Sequence, residues 1–220
     1  MSNISVVLLG AGQSIRFKRK TIKQNIVINK KRIIDYSRDF FNKYFKDSKI
    51  YLVINDKVMI KETKKNETVL LGSSTRAKSL LCAMEYIYKN NLNTKYTLIH
   101  DVARPVLNIK DINNLVKAIK PGIDGSTLGY PLTNAIKEVK NKNIKSNIIK
   151  KNLWSAFTPQ LFRSDILYKS LDFIKKHNYD IEDDIEGLII KKCPCVMVKS
   201  SPDNIKVTYD DDIEVVKRLL

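Results

Sequence analysis

Three polar clusters in this sequence hold residue types suited to a polyphosphate ligand. The first is LGAGQSIRFKRKTIKQ, residues 9–24. Gly10, Ala11, Gly12 and Ser14 are small enough for the backbone to approach a ligand and turn its N–H groups inward, and Arg16, Lys18, Arg19, Lys20 and Lys23 set positive charge beside them. Gln13 lies within the same loop. The second cluster is GSSTRAKS, residues 72–79, and the third is HDVARP, residues 100–105. In the third, Asp101 directly follows an apolar run. A carboxylate facing a cationic loop is where a Mg²⁺ ion bridging nucleotide phosphates would sit, since hard cations take carboxylate oxygens and fill their remaining positions with phosphates and water. A helix N-cap or an ion pair with Arg104 is the alternative use of that carboxylate.

The first loop matches neither glycine-rich signature with a known mechanism. It has no GxxxxGK[ST], and Ser14 and Ile15 stand where GxGxxG would need further glycines. Neither a P-loop NTPase nor a dinucleotide dehydrogenase follows from it.

The elements that would carry these clusters alternate. Residues 4–9 (ISVVLL) form a nearly continuous apolar run and read as a strand buried on both faces. Residues 25–29 suggest a short strand, 33–44 a helix by apolar spacing, 49–54 and 68–71 strands, 75–88 a helix opened by Gly72-Ser73-Ser74-Thr75, and 96–100 a strand. This rhythm predicts an α/β fold: a Rossmann-like, twisted, mostly parallel sheet with helices on both faces, whose ligand crevice lies at the carboxyl ends of the strands. A strand follows at 126–132. Residues 136–149 then alternate around a turn-like KNKN, which predicts a β-hairpin excursion, an arm spanning 136–151. Helices at 165–176 and 183–190, a strand at 195–199 and a closing helix at 210–220 complete the expectation of one domain over 1–220, with no repeat and no linker.

Composition excludes several classes. Of 220 residues, 43% are hydrophobic, and no apolar run approaches the roughly 18 residues of a membrane span. The chain runs straight into its first strand with no basic segment, apolar region and cleavage site in order, so a cytoplasmic location is expected. Cys82, Cys193 and Cys195 are too few and too poorly spaced for a disulfide framework or a zinc site, and His100 and His177 leave little for histidine chemistry, so any metal should be held by oxygen. The formal charge of +17 is carried mostly by Lys scattered along the chain rather than interleaved with aromatics on one face, which argues against nucleic acid.

Taken in order, these stretches resemble the cytidylyltransferases that make CDP-activated sugar alcohols, most closely the 2-C-methyl-D-erythritol 4-phosphate cytidylyltransferase family. The family pattern AAGxGxRM…PKQ is matched over residues 10–17 and at Lys23-Gln24, GGxxRxxSV over 72–80, HDAARP over 100–105, LWxxxTPQxF over 153–162 and DNIKVT over 203–208. The resemblance implies CTP with Mg²⁺ as donor, a polyol phosphate as acceptor, pyrophosphate as leaving group and a homodimer made through the β-arm. It also implies site residues. Arg16, Lys23 and Lys206 would be the catalytic cations and Asp101 the metal carboxylate. Gly10, Ala11, Gly12, Gln13, Ser14, Gly72, Ser73, Arg76 and Ser79 would bind the nucleotide. Arg104, Ala135, Lys150 and Thr158 fall on acceptor positions. The chain departs from the pattern at Ser14, at Asn134-Ala135 where the family has Asp-Thr, and at Lys150 where it has Arg. D-ribitol 5-phosphate is therefore the alternative acceptor. A basic nucleic-acid-binding module and an inactive paralogue are the alternatives of other classes, although Arg16, Lys23, Asp101 and Lys206 are all present.

Overall fold

The computed structural model describes residues 3–12, 22–55, 58 and 60–220. Strand β1 (Ile4–Gly10) is buried along its whole length. A 3-10 turn (Lys23–Asn25) leads into a minimal hairpin, β2 (Val27–Ile28) with β3 (Lys31–Arg32). Its turn residues Asn29 and Lys30 both have positive φ, 46° and 66°, the geometry a two-residue hairpin loop needs. The strand predicted over 25–29 is thus cut to two residues by a turn. Helix α1 (Ile33–Tyr44), strands β4 (Ile50–Ile54) and β5 (Glu67–Leu71), helix α2 (Arg76–Lys89) and strand β6 (Tyr96–Asp101) follow as the pattern predicts. Helix α3 (Ile109–Ala118) is an addition to the sequence reading. Its start is marked by Asn108, whose side chain accepts from the backbone N–H of Lys110.

Next come β7 (Gly125–Pro131), the arm strands β8 (Ile136–Lys140) and β9 (Asn143–Ile148), and the long β10 (Trp154–Arg163). Helices α4 (Ser164–His177) and α5 (Asp184–Ile190), strand β11 (Cys195–Lys199) and helix α6 (Asp212–Leu219) close the chain.

Seven strands form the main sheet in the order β11-β7-β10-β6-β1-β4-β5, parallel except for β10, which runs against both neighbours. The chain moves outward from β1 through β4 to β5, then crosses back to place β6 on the other side of β1. That reversal opens a crevice at the carboxyl ends of β1 and β6. Register aligns those ends, with Leu9 level with Asp101 and Gly10 level with Ile54.

Alternate strand residues feed two cores. Val6, Leu8, Leu52 and Leu98 pack with Ile34 and Phe41 of α1 and Ile112 and Leu115 of α3 on one face. Val7, Val53 and Ile99 pack with Leu80 and Met84 of α2, Leu167 and Leu171 of α4 and Leu188 of α5 on the other. A third, smaller core joins Ile26, Ile28 and Ile33 to Val207, Ile213 and Val216. It ties the hairpin after the first loop to the segment before α6, and so brings two stretches far apart in the sequence to the same edge of the crevice. The arm is a separate two-stranded sheet, exposed on every residue but Ile136, and Asn141 and Lys142 turn it with positive φ. Among the described residues no helix is long and apolar enough to cross a membrane.

Candidate active site

The crevice holds a cleft of about 280 Å³ lined by Ala11, Gly12, Lys23, Ser73, Arg76, Ser79, Asp101 and Lys206, among others. Two close approaches shape it. A Cβ on Gly72 would fall 2.3 Å from the Cβ of Ala11 and 3.0 Å from Ser79 Oγ, so only glycine lets the second loop meet the first. Ser79, in the first turns of α2, is buried; its Oγ accepts from Ser73 N at 2.9 Å and donates to Thr75 O at 2.8 Å. The hydroxyl thus holds the 73–75 backbone in place at the mouth of the cleft. Thr75 caps α2 by accepting from Lys78 N.

The first loop is braced from behind by a residue to which the sequence reading assigns no role. Gln24, almost wholly buried, donates from Nε2 to both Gly10 O at 2.8 Å and Gly12 O at 2.9 Å. One amide thereby ties down the carbonyls on either side of Ala11. Lys23 precedes it on the same turn and lines the cleft. Gln13, Ser14 and Arg16, which the sequence reading assigns to the nucleotide and to catalysis, lie outside the described residues.

The floor of the cleft is a chain of charges. Asp101 Oδ2 receives Lys206 Nζ at 2.7 Å and Asp101 Oδ1 receives Arg76 Nε at 2.9 Å, while Arg76 Nη1 reaches Asp184 Oδ2 at 2.6 Å. These partners replace the Asp101–Arg104 pair held open from the sequence. Burial alone would raise the Asp101 pKa, but Arg76 and Lys206 outweigh it and hold the carboxyl well below the usual carboxylate range. For Asp184 burial wins, and its pKa is raised despite Arg76. Burial also lowers the pKa of His100, beneath the floor, to about 3. Its Nε2 lies 3.0 Å from Arg104 O, which can only accept, so Nε2 carries the proton of a neutral ring.

Arg104 and Thr158 stand behind the cleft instead of lining it. Thr158 Oγ1 accepts from Asp101 N at 3.0 Å, from the register shift of β10 between Phe157 and Gln160. Arg104 lies against the Phe157 ring and donates from Nη1 to Asn204 O at 2.7 Å. Asn204 Nδ2 in turn donates to Thr158 O at 3.0 Å, and Val207 N to Ala103 O at 2.8 Å. These bonds dock the 203–208 stretch on the HDVARP loop and deliver Lys206. Ala135 and Lys150 are exposed at the base of the arm, and neither lines the cleft; Lys150 Nζ donates to Thr133 O within its own chain.

The donor set bears on the implied magnesium. Among the described residues no three His, Cys, Asp or Glu converge as an ion cage. A single carboxylate beside a cleft lined by Lys23 and Lys206 nevertheless fits Mg²⁺, which is usually bound by one or two carboxylates with substrate phosphates and water.

A family model described as 2-C-methyl-D-erythritol 4-phosphate cytidylyltransferase matches residues 4–220. The chain belongs to this family. A relative of that name from Wigglesworthia glossinidia brevipalpis is 32% identical over 218 residues, 96% of this chain and 92% of the relative. Another, from Hahella chejuensis, is 29% identical over 222 residues, 98% of this chain and 92% of the relative. Among solved structures, the Francisella tularensis 2-C-methyl-D-erythritol 4-phosphate cytidylyltransferase superposes with a TM-score of 0.84 at 26% identity, covering 99% of this chain and 100% of that one. The Thermus thermophilus structure, at 17% identity, 99% and 98% coverage and a TM-score of 0.82, is a likeness of fold. Against the family, the departure at Lys150 falls on the arm and that at Ala135 just before it, whereas the residues of the charged floor all match the family motifs except Asp184, which lies outside them.

Proposed function

We propose that this chain transfers the cytidylyl group of CTP to 2-C-methyl-D-erythritol 4-phosphate and releases pyrophosphate, a step of isoprenoid precursor synthesis. The observation that carries the reading is the convergence of Lys23, Asp101 and Lys206 with two glycine-cornered loops in one cleft of a chain matched over 4–220. An acceptor phosphate oxygen attacks the α-phosphorus of CTP, the new P–O bond forms, and the bond to the bridging oxygen of the β-phosphate breaks so that its electron pair leaves with pyrophosphate. Negative charge gathers at the α-phosphorus, and cations fixed beforehand stabilise it without reorganising.

On this reading Lys23, Lys206 and Arg16 neutralise the phosphates, backbone groups of Gly10 to Gly12 and of Ser73 approach the nucleotide, and the 72–75 backbone reads the cytosine edge. Mg²⁺ held by Asp101 supplies charge neutralisation and orientation to the triphosphate when bound. Arg104 and Thr158 support the cleft floor from behind, and Ala135 and Lys150 meet the acceptor across a homodimer interface formed by the 136–151 arm. The unit is residues 1–220, acting in the cytoplasm.

The test is pyrophosphate release from each nucleoside triphosphate, with 2-C-methyl-D-erythritol 4-phosphate and D-ribitol 5-phosphate as separate acceptors and with Mg²⁺ withdrawn by chelation. CTP is expected to far exceed UTP, because a cleft whose backbone pairs the cytosine amino edge leaves polar groups unpaired against uracil. Turnover of UTP at the CTP rate overturns the nucleotide assignment. Release with ribitol phosphate alone overturns the acceptor.

A further inference from the structure

We propose that Asp184 is a positioning residue for the transfer reaction, anchoring Arg76 so that the Asp101 carboxylate stays in place when Lys206 turns to a phosphate; this rests on the cytidylyltransferase reading above. Arg76, the first residue of α2, bridges two carboxylates on different elements: Asp101 at the end of β6 and Asp184 at the start of α5. The two cations on Asp101 are held differently. Among the described residues Lys206 is bound by Asp101 alone, on an extended stretch and with its side chain 34% exposed, whereas Arg76 is gripped from both sides. An incoming triphosphate draws away the cation with one partner and leaves the one with two.

The Asp184 site is built for charge at a disadvantage to simple packing. Its carboxylate is fully buried, and Oδ1 has no hydrogen-bond partner among the described residues. A buried pair in such a state adds little stability compared with apolar side chains of the same volume. The neighbouring Asp183 does the ordinary work of the helix start: its Oδ1 caps Glu186 N at 2.9 Å, and its Oδ2 receives Gln160 Nε2 at 3.3 Å. Asp184 is left with one function, the grip on Arg76. Burial raises its pKa, which agrees with a carboxylate that Arg76 alone keeps charged.

The experiment compares the parent with Asp184→Asn, which keeps shape and removes charge, and Arg76→Lys, which keeps charge and cannot span both carboxylates. For each variant that folds by circular dichroism, kcat is expected to fall about tenfold or more while KM for CTP moves less than about threefold, because the grip matters when charge shifts in the transition state. The double variant is expected to lose no more than the worse single one, since both break one unit. Single variants with kcat within twofold of the parent, or losses that multiply in the double variant, overturn the proposal. If Asp184→Asn does not fold, Arg76→Lys decides by the same criterion. A parent that releases no pyrophosphate from CTP fails the activity reading instead. The grip is then read by NMR of the Arg76 Nη1–H that faces Asp184: a signal slowed in exchange in the parent and lost in Asp184→Asn supports it, and an unchanged signal overturns it.

Discussion

The cleft floor and the arm hold charge in opposite ways. Asp101, Arg76, Asp184 and Lys206 are joined at 2.6 to 2.9 Å, with both carboxylates nearly sealed from water. On the arm Lys137, Lys140, Lys142 and Lys145 stand exposed, and Lys137 has only Asn147 Oδ1 at 2.8 Å to hold it among the described residues. Buried pairs are stiff and little screened, while exposed ones are screened within roughly 8 Å at physiological salt. The floor is finished within one chain. The arm, which also exposes Val139, Ile144 and Ile148, offers its charge and apolar surface outward. Chemistry that depends on fixed charge should therefore fail when the floor is altered, and recognition of a variable acceptor should respond to the arm.

The largest effect should come from titrating beneath the floor. The unfolded chain protonates His100 below about pH 6.5, but the folded chain refuses that proton until about pH 3. Asp101, Arg104 and Lys206 are the charged groups facing it. Folded-state pKa lies below unfolded pKa, so the stability is whole above pH 6.5 and declines as pH falls toward 3. The loss is on the order of 5 kcal/mol by linkage. The lowered Asp101 pKa acts with the same sign, but only below about pH 4, so the two windows separate. Thermal unfolding from pH 7 to 4 should show a falling melting temperature in the parent and a flatter profile in His100→Gln, whose amide can still donate to Arg104 O. Equal slopes would mean that acid sensitivity lies elsewhere, and the floor would lose its claim to be the rigid half of the comparison.

Next in size, Lys206→Ala and Lys23→Ala should each lower kcat by about 100-fold or more, roughly 3 kcal/mol of transition-state charge stabilisation. Asp101 keeps Arg76 in the first variant, so unfolding midpoints should move little. A change confined to KM would show instead that these lysines hold ground-state phosphates.

Much of this floor could be read from sequence because its parts are local. Short, mostly apolar stretches mark β1, β4 and β6, Thr75 and Asp183 mark helix starts, and Asp101 stands out as an acid ending such a strand. The partners of Asp101 were not legible, because Lys206 lies 105 residues away and the choice of Lys206 over Arg104 is made by the third core and by Asn204. Asp184 looks like any acid in a helix's first turn. Its grip on Arg76 is a contact over 108 residues that no spacing encodes. Helix α3 is missing from the sequence reading although Asn108 announces it, since its short amphipathic run follows directly on HDVARP and is overshadowed by that motif.

A smaller effect should follow from Gln24→Met, which keeps volume and removes both donors to Gly10 O and Gly12 O. Two neutral hydrogen bonds are worth about 1–3 kcal/mol together, so KM for CTP should rise about tenfold while kcat holds within a few fold. Should kcat fall and KM stay, the first loop would belong with the charge-fixing floor and not with nucleotide binding.

The smallest effect, and the sharpest division of the two regions, concerns the arm. Ala135→Thr with Lys150→Arg restores a hydroxyl and a two-pronged guanidinium, and should lower KM for the acceptor about tenfold with kcat and KM for CTP unchanged. Which cleft the arm serves can then be settled by mixing chains. Lys206→Ala has a disabled floor and an intact arm, and Lys150→Glu has the reverse. If each arm crosses to a partner, a mixed dimer joins the intact floor of one chain to the intact arm of the other. Random exchange makes about half the dimers mixed, each with one working cleft of two, so about a quarter of the parent's activity should return at low acceptor concentration. An arm that serves its own chain predicts only the sum of the two separate variants, because no mixture can then bring an intact arm to an intact floor. Sedimentation of the same mixtures shows whether exchange occurred, so the absence of recovery in exchanged dimers would reverse the assignment of the arm.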